Sequence, residues 1–152
     1  MKKKEIFLIS ILFVFEELVK YGLETTLQNG PLTIIQNFFV LDYVHNKGAA
    51  WSILNNQTII LIIISLICLV FLTVIKQTIK ESKLKLWATS LLYAGIMGNL
   101  IDRIVFGYVK DFFSFNIFGY AFPVFNCADI FIVLGALLLI INIWKEERIN
   151  EK

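Results

Sequence analysis

Long apolar runs separated by short polar segments dominate the chain. The segment Ile59–Ile75 contains no charged residue, and comparable runs occupy the beginning, the third quarter and the end of the sequence. A helix of about 20 apolar residues crosses the ~30 Å hydrocarbon core of a bilayer. The pattern therefore predicts four membrane-spanning helices over residues 5–22, 58–75, 86–106 and 125–144, within a single domain of residues 1–152.

The connection between the first two predicted spans is too long for a plain hairpin. It contains the segment Ile34–Val44, in which Phe38, Val40 and Tyr43 favour extended structure. We predict a small β platform over about residues 30–56, outside the cytoplasm and against the lipid headgroups. The fold class is thus an all-α membrane protein, a four-helix transmembrane bundle carrying an extracytoplasmic β platform.

The first span has a second interpretation. Lys2–Lys4 followed by an apolar run also match the start of a secretory signal peptide. No small-residue cleavage pattern follows, and the segment continues through Glu16, Glu17 and Lys20. We prefer a retained helix with polar residues near its outer end.

Composition and charge exclude several classes. Hydrophobic residues make up 58% of the 152 residues and charged residues 17%, and the mean hydropathy is +0.76, too apolar for a soluble domain. A net charge of +2 gives no nucleic-acid footprint. Cys68, Cys127 and the lone His45 lack the spacing of a disulfide or a metal site. We expect no metal and no cofactor.

Basic residues give the orientation. Ten of the 14 lie on one side of a four-span chain, and the positive-inside rule assigns that side to the cytoplasm. We expect a multi-pass protein of the cell membrane with both termini in the cytoplasm. The ten residues are Lys2, Lys3, Lys4, Lys76, Lys80, Lys83, Lys85, Lys145, Arg148 and Lys152.

Seven polar residues inside the predicted spans reach the same outer level. Ionisable groups in a membrane are costly and are usually functional. Helical spacing of three or four residues places them on shared faces within each segment. These residues are Glu16 and Lys20 in the first span, Asn99, Asp102 and Arg103 in the third, and Asn126 and Asp129 in the fourth.

Two carboxyl groups could share this outer site. Asp111 lies just outside the third span, and the returning chain can bring it toward Asp129. Repulsion between close carboxylates keeps one protonated while the other is ionised, so one acts as acid and the other as base. Such a pair can activate water for attack on a peptide carbonyl.

Four segments together resemble the bacterial lipoprotein signal peptidases, the signal peptidase II family. They are residues 46–52 (NKGAAWS), 98–103 (GNLIDR), 107–112 (GYVKDF) and 125–129 (FNCAD). The resemblance implies an aspartic endopeptidase with Asp111 and Asp129 as catalytic residues. It implies a substrate, a diacylglyceryl-modified prolipoprotein, cleaved immediately before the lipidated cysteine. Binding or supporting roles are implied for Asn46, Asn99, Asp102, Arg103 and Asn126.

The residues themselves suggest some of these roles. An ion pair between Asp102 and Arg103 would fix the third helix, and the amides of Asn99 and Asn126 could orient a carboxylate or a substrate carbonyl. Gly48, with Ala49 and Ala50, offers little bulk where a peptide backbone passes.

Three positions in two segments depart from the family pattern. The first span usually carries Asp-Gln-x-x-Lys, whereas this chain has Glu16 and Glu17 ahead of Lys20. Lys110 stands beside Asp111 where a small apolar residue is common, although neighbours in an extended segment point to opposite sides. The departures keep open the possibility of a catalytically altered paralogue.

Function classes besides a peptidase also remain open. Carboxylates and an arginine inside a bundle suit a small transporter or proton-pathway subunit too, yet the cytoplasmic halves of the spans are almost wholly apolar. Each polar residue alone could be structural.

Other residues receive structural interpretations. We interpret Trp51, Trp87 and Trp144 as interfacial anchors and His45 as a loop residue. Expected partners are prolipoproteins and membrane lipids, with no nucleic acid, and the protein is expected to be a monomer.

Overall fold

The computed structural model describes residues 2–49, 51 and 53–150. Ala50 and Ser52, which belong to the first motif, lie outside the described residues. The helices are α1 (Lys3–Thr26), α2 (Thr58–Thr78), α3 (Lys83–Phe106) and α4 (Cys127–Asn150), and a short 3-10 helix covers Leu27–Asn29. The strands are β1 (Leu32–Ile35), β2 (Phe39–Asn46), β3 (Val109–Ile117) and β4 (Tyr120–Ala121).

Helix α3 forms the centre of the bundle. It packs against α1, α2 and α4, and most of its apolar stretch is buried. Close approach to α4 depends on glycine: a Cβ on Gly95 would collide with the carbonyl oxygen of Ala128, and one on Gly135 would lie 2.8 Å from Leu92 Cγ. Small residues at such contacts let helix backbones pack closely inside a membrane.

The ends of α3 have clear local causes. Ser82 precedes the helix, and its Oγ accepts a hydrogen bond from the Lys85 amide at 2.9 Å, the usual role of an N-cap serine. Gly107 follows it with φ of 81°, a left-handed conformation that a residue without Cβ adopts at little cost. The turn at Gly107 sends the chain directly into β3.

Three helices of the described chain are long and apolar enough to cross a membrane. They cover Thr58–Thr78, Lys83–Phe106 and Cys127–Arg148. Helix α1 is not among them, and it carries Glu16, Glu17 and Lys20. The observed helices therefore confirm a mostly helical membrane protein but not the number of four spans.

The sheet is larger than the sequence predicted. The four strands run antiparallel in the order β1-β2-β3-β4, so β3 and β4 come from the connection between α3 and α4. The prediction placed the extended structure at residues 30–56 alone and missed this half. The pairing of β2 with β3 joins the two long connections into one platform above the bundle.

Candidate functional site

Asp111 is held by the pairing of β2 with β3. It lies opposite Val44, and Asn46 lies opposite Val109, so Asp111 and Asn46 occupy neighbouring positions on the same face. The Asn46 Nδ2 group donates a 2.8 Å hydrogen bond to Asp111 Oδ2. Asn46 Oδ1 in turn accepts from the Gly48 amide at 2.9 Å. Asp111 is only 1% exposed.

The chain returns from β3 to α4 through a second backbone pairing. The Phe113 amide donates to the Phe125 carbonyl at 2.8 Å, and the Phe125 amide donates back at 3.2 Å. This bridge places Asn126, the next residue, beside β3. Asn126 Nδ2 donates to Asp111 Oδ1 at 2.8 Å, and its side chain is fully buried.

Asn126 and Asp129 also form the beginning of α4. The Asp129 amide donates to Asn126 Oδ1, and the Asn126 amide donates to Asp129 Oδ2, both at 3.1 Å. This reciprocal arrangement has the form of a capping box. It fixes the Asp129 side chain at the positive end of the helix dipole, which favours an anion. Asn99 Nδ2 supplies a further donor to Asp129 Oδ1 at 2.8 Å.

The structure thus brings the two aspartates to one site from separate elements. Asn126 donates from its side chain to Asp111 and from its backbone to Asp129, so one residue connects both carboxyl groups. Both aspartates line a cavity of about 490 Å³. Its other walls are mostly apolar and include Ala49, Trp51, Phe122, Pro123, Val124, Phe125, Ile130, Ile132, Val133 and Leu134.

Burial changes the acidity of the site. Loss of solvation and, after it, the charge of Asp129 raise the pKa of Asp111 to about 7, against the opposing effect of the hydrogen bonds from Asn46 and Asn126. A carboxyl group of this kind carries a proton near neutral pH. It can then donate a hydrogen bond, which an ordinary surface aspartate cannot do.

Arg103 does not pair with Asp102, so that prediction is wrong. Adjacent residues on a helix point in different directions, and the two side chains reach different neighbours. Arg103 Nη2 donates to the Gly48 carbonyl at 3.0 Å, and Nη1 donates to the Asn99 carbonyl at 3.3 Å. Arg103 also lines the cavity with Asn46, and its hydrogen bond to Gly48 ties the segment after β2 to α3.

Asp102 instead pairs with α1. Lys20 Nζ lies 2.7 Å from Asp102 Oδ2 and also forms an ion pair with Glu16. All three side chains are at most 2% exposed. The same Asp102 oxygen accepts the backbone amide of Lys110 at 3.1 Å. This buried cluster therefore connects α1 and α3 to the residue that precedes Asp111.

The departures from the family pattern have structural correlates. A Cβ on Gly98 would lie 2.6 Å from Glu16 Oε2, so Gly98 leaves the room that the longer glutamate occupies. Lys110 points away from Asp111, as expected, and its Nζ lies 2.7 Å from Glu24 Oε2. Tyr43 Oη donates to the other Glu24 oxygen at 2.8 Å. Sequence reasoning gave Glu24 and Tyr43 no role, because these contacts join α1 to two strands that are distant in sequence.

Two aromatic interpretations change. Trp51, interpreted as an interfacial anchor, lines the cavity, and its Nε1 donates to Tyr120 Oη at 2.9 Å. The sequence signal for a place in the site was the position of Trp51 inside the first motif, residues 46–52. His45 lies in β2 rather than in a loop and stacks on Tyr108 with ring centroids 3.9 Å apart.

Together, the fold and the site define a helical integral membrane protein with paired carboxyl groups on one cavity. Comparisons with known proteins identify the family within this class. A family model described as "Signal peptidase (SPase) II" matches residues 8–145, and the chain belongs to that peptidase family.

Relatives and solved structures agree. The chain is 40% identical over 137 residues to "Lipoprotein signal peptidase" of Staphylococcus aureus strains JH9 and Newman, covering 88% of this chain and 83% of each relative. It is similar to a solved "Bacterial membrane enzyme" with a TM-score of 0.82 and 36% identity, covering 97% of this chain and 91% of that one. A second solved bacterial membrane enzyme gives 0.73 and 37%, with 90% of each chain covered.

Proposed function

We propose that this protein cleaves the signal peptide from diacylglyceryl-modified prolipoproteins immediately before the lipidated cysteine, and that Asp111 and Asp129 form its catalytic dyad. One observation carries the proposal. The two carboxyl groups lie on one cavity and are connected through Asn126. The charge of Asp129 also acts on Asp111, and carboxyl groups coupled in this way divide one proton between them, as general acid–base hydrolysis requires.

The roles within the dyad follow from the surroundings. Asp129 accepts backbone and amide N–H groups at the beginning of α4, and these favour its ionised form. Asp111 has a pKa raised to about 7 by burial and holds the proton. On these contacts we assign Asp129 as the base toward water and Asp111 as the group that donates a hydrogen bond to the scissile carbonyl.

The reaction then balances in two steps. Water loses a proton to Asp129 as its oxygen attacks the carbonyl carbon, and Asp111 transfers its proton to the carbonyl oxygen to give a tetrahedral diol. In the second step Asp129 returns the proton to the amide nitrogen while Asp111 accepts one from the diol. The carbon–nitrogen bond breaks, and both carboxyl groups are restored.

The cavity suits a substrate that stays in the membrane. Ile130, Val133 and Leu134 of α4 continue its wall from Asp129 into the apolar stretch of that helix. Apolar chains of a lipidated cysteine could lie along this wall while the peptide backbone meets the aspartates. Trp51 and Phe122 also line the cavity.

The membrane topology is part of the proposal. Lys20 and Glu16 are buried against α3 rather than exposed to lipid, so α1 can cross the bilayer as a fourth span despite its charges. With both termini in the cytoplasm of a cell-membrane protein, the dyad lies at the extracytoplasmic face. The protein would act as a monomer in a single domain of residues 1–152.

The transporter hypothesis receives no support. The relatives are lipoprotein signal peptidases, and the family model is that of a peptidase. The polar residues around Asp129 stay at one end of the bundle, whereas a conduction path would require polar groups through the membrane.

The test is cleavage of a diacylglyceryl-modified precursor by the purified protein. Asp111→Asn and Asp129→Asn should each lower the rate by roughly a thousandfold or more, since each removes one proton-transfer group. Asp42→Asn is the matched control, because Asp42 lies in β2 and does not line the cavity. Cleavage by either dyad variant at the control rate would reject the dyad; a precursor without the lipid, cut equally fast, would reject the substrate assignment.

A further inference from the structure

The opposite end of the bundle carries a second, basic cavity of about 880 Å³. It lies between the beginning of α1, the end of α2 and the beginning of α3. Sixteen residues of α3 separate Lys83 from Asn99, which at 1.5 Å per residue amounts to roughly 24 Å from the aspartate site. The cavity is lined by six lysines: Lys2, Lys4, Lys76, Lys80, Lys83 and Lys85.

The lining is strongly positive. Two glutamates, Glu5 and Glu81, face the six lysines, which leaves a net charge of +4. Glu5 lies 3.0 Å from Lys76 Nζ, while Glu81 lies within 3.0 Å of both Lys2 and Lys85. Each carboxylate is therefore already engaged with lysine.

Two of the lysines are not ordinary membrane-flanking residues. Lys76 is 9% exposed and Lys85 is 8% exposed, so both are held inside the cavity wall rather than extended into solvent. Glu5 holds Lys76 there, and Glu81 with the Ile79 carbonyl holds Lys85. A positive-inside charge bias alone requires lysines near the surface but does not require them to converge on one cavity.

The beginning of α3 adds to the unfavourable charge. Its first turn contains Lys83 and Lys85 and no acidic residue. Cations are disfavoured at the positive end of a helix dipole, and an anion there reverses the sign of the interaction. A sequence that breaks this local preference beside a cavity with a net positive lining is understandable if an anion occupies the cavity.

We propose that this cavity binds a phosphate-bearing anion, the headgroup of an anionic phospholipid being the source that its position favours. It lies at the ends of helices that are long and apolar enough to cross a membrane, and in the proposed topology this end is cytoplasmic, where basic pockets between membrane helices suit such headgroups. The site would stabilise the packing of α1 and α2 on α3. It does not depend on the catalytic dyad.

Thermal unfolding of the purified full-length chain in a neutral detergent tests the proposal. The probes are dihexanoyl phosphatidylglycerol, dihexanoyl phosphatidylcholine, and sodium phosphate matched in ionic strength with sodium chloride. Phosphatidylglycerol should raise the Tm saturably, and phosphatidylcholine and chloride should not. Inorganic phosphate that raises the Tm as strongly would identify a free phosphate as the source and still support the site.

Matched charge variants locate the effect. Lys4→Gln with Lys83→Gln removes two lining charges. Binding should weaken roughly tenfold or more, because these two lysines no longer attract the anionic headgroup. Lys3→Gln with Lys145→Gln removes two charges from the same side but from residues that do not line the cavity, and should leave binding unchanged. Lys4→Arg with Lys83→Arg should restore it.

Two outcomes would overturn the proposal. One is equal weakening by both glutamine pairs, which would show attraction to the basic surface as a whole. The other is the absence of any saturable shift of Tm with phosphatidylglycerol or phosphate.

Discussion

Replacement of Asp111 by asparagine should make the protein more stable at pH 8 and less stable at pH 4. The raised pKa of Asp111, about 7 against an ordinary 3.8, means that the folded state holds a proton that the unfolded chain releases. Between these values the folded form binds more protons, so stability falls as the pH rises from about 4 to about 7. Below about pH 4 both the folded and the unfolded chain hold this proton, so Asp111 causes no loss of stability there.

The magnitude follows from the same difference. At 1.36 kcal/mol for each pH unit, the native protein loses roughly 4 kcal/mol by pH 8. Asparagine avoids this loss but cannot accept both hydrogen bonds that Asn46 Nδ2 and Asn126 Nδ2 donate to the carboxylate. The mismatch costs about 1–3 kcal/mol at any pH. The variant should therefore gain about 1–3 kcal/mol at pH 8 and lose a similar amount at pH 4.

Tm measured from pH 4 to pH 9 in one detergent provides the assay. The curves of the native protein and Asp111→Asn should cross between pH 4 and pH 8, while Asp42→Asn should run parallel to the native curve. A variant less stable than the native protein by the same amount at every pH would refute the reasoning, because Asp111 would then contribute only its hydrogen bonds.

Three further predictions concern the same region. Cleavage kcat/KM should fall as the pH rises through about 7, because Asp111 must keep its proton; initial rates that stay constant from pH 5 to pH 9 would contradict this. Gly98→Ala should cost about 1–3 kcal/mol by crowding the Glu16 carboxylate, and Glu16→Asp in the same chain should recover part of it. Additive effects in that double-mutant cycle would show that the two residues do not interact. Asp102→Asn should lower kcat more than it changes KM, and an unchanged kcat in steady-state assays would show that the Lys110 amide needs no anchor.

Much of the architecture was predictable because its causes are local. The apolar run Ile59–Ile75 falls within α2, and the predicted 86–106 span matches α3 apart from its first turn. The spacing of Asn126 and Asp129 predicts a shared helical face, and both residues meet at the beginning of α4. Helical periodicity and apolar length need no information from distant parts of the chain.

The missed features all depend on distant partners. β3 was not predicted, and it pairs with β2, more than 60 residues earlier in the chain. Residues 113–117 (FSFNI) alternate apolar and polar side chains, which was an available strand signal, whereas the first four residues of β3 do not alternate and are extended through the pairing. The Asp102 partner was wrong for the same reason, since Lys20 comes from another helix.

The buried Lys20–Asp102 pair shows why stability and site geometry should be separable here. Buried ion pairs often contribute little net stability, because desolvation offsets their attraction. The pair nevertheless positions β3. Asp102 Oδ2 accepts hydrogen bonds from both Lys20 Nζ and the Lys110 amide, so the backbone of β3 beside Asp111 is anchored to a charged residue of α1. Replacing Lys20 and Asp102 together by apolar residues of similar size could leave the Tm nearly unchanged and still move Asp111 away from Asp129. The buried charges then serve to position the Asp111 carboxyl group, and the free energy of unfolding is a poor measure of that role.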